Sequence, residues 1–183
     1  VHENWSDDYG AGVGARGCAV SFVDSSLGGN TSDGGFGELT VVDGTLDISG
    51  GDFSDATLRG RLVLVTGVSS VVVEDSTFSN LTGEGVAFSP YGALRAGGSV
   101  TAVLRRTAFH DIELDRGHAI EGGSWTALQI EDSSFERVDA DDGACLYADG
   151  VDIDITGTTF DACTSTDGYS GGIYAEYSSL SIA

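Results

Sequence analysis

Five phenylalanines, Phe53, Phe78, Phe109, Phe135 and Phe160, follow one another at intervals of 25, 31, 26 and 25 residues. That beat constrains the chain more than any other feature of it. Seven and five residues before each Phe stands an apolar pair: Leu46/Ile48, Val71/Val73, Ala102/Leu104, Leu128/Ile130 and Ile153/Ile155. Leu180/Ile182 opens a further unit. Three residues after each Phe comes another apolar position, Ala56, Leu81, Ile112, Val138 or Cys163. Beyond it a glycine precedes a short apolar run, as in "GRLVLV", "GEGVAF", "RGHAI", "GACLYA" and "GGIYA". Alternation over four or five residues marks short, half-buried strands. Self-similarity at a fixed period of this size marks a solenoid.

Two or three strands and glycine turns in about 25 residues make one coil of a right-handed parallel β-helix. Coils of this kind stack at the strand spacing of about 4.8 Å and share one core, because none buries its face alone. A β-propeller needs longer, four-stranded blades, and a jelly roll does not repeat Phe at this period. The expectation is an all-β solenoid of about six coils over residues 39–183, with an N-terminal arm and an irregular first coil in residues 1–38. The wide Phe78–Phe109 interval is expected to hold a looped insert around "SPYGALRAGG", either a specialised contact surface or an ordinary long turn.

Stacking in register brings like positions together, so the charges can be aligned. Four residues before the Phe the column reads Ser49, Glu74, Arg105, Glu131, Thr156; three before, it reads Gly50, Asp75, Arg106, Asp132, Gly157. Two residues after the Phe, Asp111 lies next to Arg137. Arg105, Arg106 and Arg137 are thus expected in charge ladders between coils, since opposite charges across strands stabilise by about 0.2–1 kcal/mol each.

The chain carries 29 acids against eight arginines and no lysine, a net charge of −21. Such a balance excludes nucleic acid and anionic membranes as partners. No apolar run approaches the roughly 20 residues of a membrane span, so membrane insertion is not expected. The acidity itself has two readings, a solvated surface and cation binding. All three asparagines, Asn4, Asn30 and Asn80, open an N-x-S/T sequon, which marks surface positions of secreted glycoproteins and points outside the cell. With no Met and no signal-like start, Val1 reads as a processed terminus or the edge of a fragment. Three cysteines, Cys18, Cys145 and Cys163, are too few for a disulfide scaffold. A Cys145–Cys163 bond requires Cα atoms within about 7 Å, and the spacing alone leaves it open.

The motifs "TFSN" (Thr77–Asn80), "TFDAC" (Thr159–Cys163), "GHAI" (Gly117–Ile120) and "SGGIYAE" (Ser170–Glu176) resemble the paired F-x-x-N and G-G-A-I elements of chlamydial-type polymorphic outer membrane proteins. The resemblance covers most of residues 39–183. It implies a β-helix of the pectate-lyase-like superfamily, surface display, adhesion and self-association.

Enzymes also use this architecture, so a polysaccharide lyase or hydrolase is the alternative. Its candidate residues are Asp139, Asp141 and Asp142 in "DADDG", then Asp149, Asp152, Asp154, His118, Arg116 and Arg137. Paired acids could supply acid and base, and the acidic edge at Asp139, Asp141 and Asp142 could hold Ca²⁺, the one cofactor to consider. Asp and Gly equally suit a solvated turn there. The absence of lysine removes the Arg-x-Lys element of polygalacturonases. His118 shares a column with Arg61, Val86, Ala144 and Gly172, which reads as packing. His2 and His110 are surface neighbours of acids, and no catalytic residue is assigned. Trp5 and the Ser124–Trp125 pair are candidate contacts for sugar or protein. The last residues, "SSLSIA", open a new coil, and no amphipathic lid helix precedes the first. A structural or adhesive glycoprotein, assembled by head-to-tail and lateral contacts into a filament or appendage, is therefore expected.

Overall fold

The computed structural model describes residues 5–6, 12–29, 31–32, 37–58, 60–83, 91–123, 127–140, 145–166 and 170–183. Among them there are strands and turns but no helix. The strands form a parallel β-solenoid of about six turns. Each turn visits three faces. The first carries Val13–Arg16, Leu39–Val42, Gly117–Gly122, Leu146–Asp149 and Ile173–Glu176; the second carries Ala19–Val23, Thr45–Ser49, Ala127–Glu131, Asp152–Thr156 and Ser179–Ile182. Two long strands, Arg61–Glu74 and Tyr91–Arg105, run through both of these faces. The third face carries Ser26–Gly28, Asp52–Ser54, Thr77–Gly83, Ala108–Leu114, Ser134–Ala140 and Thr159–Ser165. Neighbouring coils pair in parallel throughout, with Phe78 opposite Phe53 and Phe109, and Phe135 opposite Phe109 and Phe160.

Three corners per turn depend on left-handed backbone. Between the first and second faces stand Gly17, Asp43, Gly67, Gly98, Gly150 and Tyr177; between the second and third, Asp24, Gly50, Asp75, Arg106, Asp132 and Gly157. The third series, within the third face two residues after the Phe position, is Gly29, Asp55, Asn80, Asp111, Arg137 and Ala162. Glycine enters this region without steric cost, and Asp and Asn enter it more readily than other side chains. The recurring Asp and Gly of the sequence are therefore corner residues as much as charges.

Hydroxyls fasten the corner that leads to the Phe. Ser76 is buried; its Oγ donates to the Glu74 carbonyl at 2.6 Å and accepts from the Gly51 N–H at 3.0 Å. Ser133, two coils on, repeats both bonds, donating to the Glu131 carbonyl and accepting from the Thr107 N–H. Thr107 and Thr158 donate to the carbonyls of Arg105 and Thr156, and Thr158 accepts from the Ser133 N–H. Ser76, Ser133 and Thr158 thus each satisfy a carbonyl of their own coil and an amide of the neighbour, groups that would otherwise be buried unpaired, while the Thr107 hydroxyl reaches the Val73 carbonyl of the neighbouring coil at 3.3 Å.

Inside, side chains stand in columns. Phe53, Phe78, Phe109 and Phe135 are fully buried, with ring centroids 4.7–4.8 Å apart and planes within 6° of parallel. Phe160 continues the stack at 4.7 Å as a partly buried member. Phe22, from the second face, packs on Phe53 at 5.4 Å, an addition to the stack that its position outside the Phe column hides. Cys145 and Cys163 are joined by a disulfide across 18 residues, with Cα atoms 5.9 Å apart, while Cys18 is an exposed free thiol.

Two expectations change. Residues 91–98 are not a looped insert: they form the first-face part of Tyr91–Arg105 and pair with Arg61–Thr66 and Gly117–Gly122. The extra length of that interval falls in residues 84–90, outside the described residues, and Gly97–Gly98 is the corner rather than a loop. The repeat also extends into the N-terminal portion. Val13 pairs with Leu39, Ala19 with Thr45 and Leu27 with Phe53, so residues 13–28 form a coil in register with the rest.

Candidate functional site

The charge ladders lie at the corners. Arg105 donates from Nε to Glu131 at 2.7 Å and from Nη1 to Glu74 at 3.0 Å, bridging three coils. These two carboxylates hold its guanidinium further above its ordinary range, the Glu131 hydrogen bond contributing most. Arg106 makes a two-pronged contact with Asp75, at 2.7 and 2.9 Å, which lowers the Asp75 carboxyl. Asp132 acts on Arg106 only by its field. The expected sandwich at Arg106 is thus one-sided, because its Nε and Nη2 both turn to the Asp75 side, where Glu74 also lies 3.7 Å from Nη2. Arg137 repeats that contact with Asp111 at 2.6 and 3.0 Å. Asp111 also receives His110 Nδ1 at 2.8 Å, and the hydrogen bonds from Arg137 and His110 push its carboxyl far below the usual carboxylate range.

Beside this pair the third face opens into a groove of about 480 Å³ lined by Asn80, Thr82, Asp111, Ile112, Glu113, Arg137 and Asp139. Asn80 is exposed at a left-handed corner, with its amide donating to Asp55 at 3.2 Å. Thr82, the third residue of its sequon, is exposed on the same strand and bonds Thr57. Asp139 accepts from Thr164 at 2.8 Å. Asn4, Asn30, Asp141, Asp142, Ser124 and Trp125 lie outside the described residues.

The first face holds polar groups that the sequence reading did not bring together. Glu121 is buried between Arg95, at 3.3 Å, and Arg61, at 3.5 Å. Burial lowers the Arg61 guanidinium, and the Glu121 charge opposes that shift. Arg61, Arg95 and Glu121 lie on three successive coils, far apart in sequence, and only the paired strands align them. His118 stacks on Tyr147 at 4.7 Å, and Tyr147 on Tyr174 at 5.7 Å. Burial holds the His118 imidazole down to about 4, so it is neutral at physiological pH. Its register neighbour is Gly92, which pairs in turn with Arg61, rather than Val86, because the strand on that rung begins at Tyr91. Ile120 pairs with Leu146 and Leu146 with Ile173, which places Gly171 rather than Gly172 in the His118 column. Tyr147 is raised by desolvation and by Asp149 and Glu176 nearby.

A second groove, of about 440 Å³, runs along the outside of the second face over Thr101, Val103, Gln129, Asp152, Asp154 and Ser181. The residues proposed for sugar chemistry are therefore divided: Asp152 and Asp154 flank this groove, Asp139 and Arg137 lie on the third face, and His118 and Asp149 lie on the first. No family model matches the chain, and neither the curated proteins nor the solved structures contain a match to it.

Proposed function

We propose that the protein is an extracellular structural or adhesive β-solenoid glycoprotein that serves as a subunit or segment of a surface filament or appendage. The observation that carries this reading is the coil-to-coil continuity of the stack. One inward column runs unbroken through every rung, from Val20 through Leu46, Val71, Ala102, Leu128 and Ile153 to Leu180. A parallel sheet edge with apolar residues behind it is a template for another coil. The Cys145–Cys163 disulfide supports an oxidising compartment, and the exposed Asn80-Leu81-Thr82 sequon supports export and glycan attachment. The likeness to polymorphic outer membrane protein repeats, and with it a role in adhesion, belongs to the same proposal.

Electron microscopy of the native material tests it. Rods longer than one solenoid, with carbohydrate released from Asn80 by glycosidase, are the expected result. Monodisperse globules overturn the filament, and an unmodified Asn80 in material from its own source overturns the glycoprotein. A second reading, carbohydrate binding or cleavage, is favoured by the groove over Gln129, Asp152 and Asp154. Glycan-array binding that Asp152→Asn and Asp154→Asn remove would replace the structural reading by this one.

A further inference from the structure

The groove on the third face begins at the sequon. Asn80, Asp111 and Arg137 form one wall of it and Thr82, Glu113 and Asp139 the other, all of them exposed. Each wall takes one residue from each of the strands Thr77–Gly83, Ala108–Leu114 and Ser134–Ala140. Register sets Thr82 beside Glu113 and Glu113 beside Asp139. The walls therefore run along the axis across three coils, about 10 Å at the strand spacing. Thr57 and Thr164 continue the second wall on the coils to either side.

The two walls offer both halves of a hydrogen bond. Arg137 gives Nε and Nη2 to Asp111 and Nη1 to Glu136, which fixes the guanidinium and leaves N–H groups over for a ligand. Opposite it, Glu113 has no hydrogen-bond or ion-pair partner among the described residues, and among them Asp139 accepts only from Thr164. Two carboxylates in register repel unless a donor or a cation joins them. The Arg137 charge in the same groove opposes a metal ion, and the carboxylates of Asp111, Glu113 and Asp139 oppose an anion. Neutral hydroxyl groups, which both donate and accept, suit both walls.

Asn80 brings such a ligand to the groove. It holds a left-handed corner at φ 52°, and one N–H of its Nδ2 donates to Asp55, on the preceding coil, at 3.2 Å. The other N–H diverges from Asp55, and a sugar in its place leaves that bond intact. Asp111 and Glu113 lie on the coil at the opposite side of Asn80, so a sugar turned away from Asp55 is turned toward them.

We infer that this groove seats the glycan carried by Asn80. A neutral saccharide linked to Nδ2 lies along the third face, donates hydroxyls to Glu113 and Asp139, and accepts from Arg137. The inference rests on the glycoprotein reading above and specifies how the sugar is held. The glycan is then a packed part of the rod and not a tail in solvent.

The test compares the chain from its own source with the same chain made in a host that attaches no sugar. Mass spectrometry of the peptide containing Asn80 establishes occupancy, and peptide N-glycosidase release at that site is timed on native and on urea-unfolded protein. Native Glu113→Ala/Asp139→Ala should release its sugar about five- to thirty-fold faster than native wild type, from the loss of two hydrogen bonds. The unfolded proteins should release theirs at one rate. Without sugar, the double variant should melt within a few degrees of wild type, because both side chains are exposed. The glycan should raise the melting temperature of the wild type more than that of the variant. An unmodified Asn80 overturns the glycoprotein reading and the seat together. An occupied Asn80 whose native release rate and melting temperature ignore the double substitution overturns the seat and leaves the glycoprotein standing. Calcium that raises the melting temperature of glycosylated wild type, and not of the variant, gives the groove to a cation and also overturns the seat.

Discussion

Breaking the Cys145–Cys163 bond is expected to lower the stability of the coil that contains it by an amount its loop length sets. The bond closes 18 residues that run from the first face, around the second, to the third. For a loop of that size, the lost chain entropy of the unfolded state corresponds to about 3 kcal/mol at 25 °C. In a chain of 183 residues, that is a fall in Tm of about 6–12 °C. Dithiothreitol is the cleaner perturbation, because reduction leaves both sulfurs in place and removes only the cross-link. Cys145→Ala/Cys163→Ala should melt at or below the reduced protein, since Cys145 is fully buried and loses packing. Thermal melts by circular dichroism, with and without reductant, give the shift, and the alanine pair should show no further response to dithiothreitol. Hydrogen exchange adds location. Stability in a solenoid is a sum over coils and their neighbours, so protection should fall in residues 145–166 and the coils beside them and persist around Phe78. A reduced protein that melts within about 2 °C of the oxidised one would refute the loop-entropy reasoning. So would a uniform loss of protection along the rod.

Phe109→Ala, which opens a gap between rings 4.7 and 4.8 Å away, should cost about 3–5 kcal/mol by urea unfolding; Phe109→Leu should cost much less. Arg105→Glu should lower Tm more than Arg105→Gln, because reversal places three carboxylates in one column; equal effects in calorimetry would mean that the ladder is inert. His118 is neutral in the folded protein down to about pH 4, whereas in the unfolded chain it takes up a proton near 6.5. Its contribution is complete above pH 6.5 and is lost as pH falls from 6.5 to 4, by about 3 kcal/mol at most. Urea midpoints across that window should fall for the wild type and flatten for His118→Gln. The depressed carboxyls of Asp75 and Asp111 act below that window, because they must be protonated to withdraw their contribution.

Much of the fold was legible because a solenoid repeats its chemistry. The Phe column, the apolar pairs before it and the arginine ladders follow from alignment at the period, and the register pairs them as aligned. What escaped has identifiable causes. Residues 91–98 looked like a loop because the strand Tyr91–Arg105 turns a corner at Gly97–Gly98, where glycine is required by backbone shape within a continuous strand. Arg106, Arg137, Ala162 and Tyr177 hold left-handed corners that their side chains do not favour, so no residue preference reveals them; only their column does. The Glu121 cluster depends on which strand follows residues 84–90, and a one-strand error in that interval hides it. Ser76 and Ser133 had no role in the sequence reading, yet both are buried, because corner amides need acceptors that the strands do not supply.

Those hydroxyls fix the unit in which this rod can change length. Ser76, Ser133 and Thr158 each donate to a carbonyl of their own coil and accept from an amide of the coil beside it. Excising or duplicating a segment from one of them to the next leaves each remaining hydroxyl with an equivalent pair of partners. A cut of any other size strands a carbonyl at one corner and an amide at another. Growth and loss by whole coils is thus the mode of variation the fold tolerates, and the serine before the phenylalanine marks where such a segment joins.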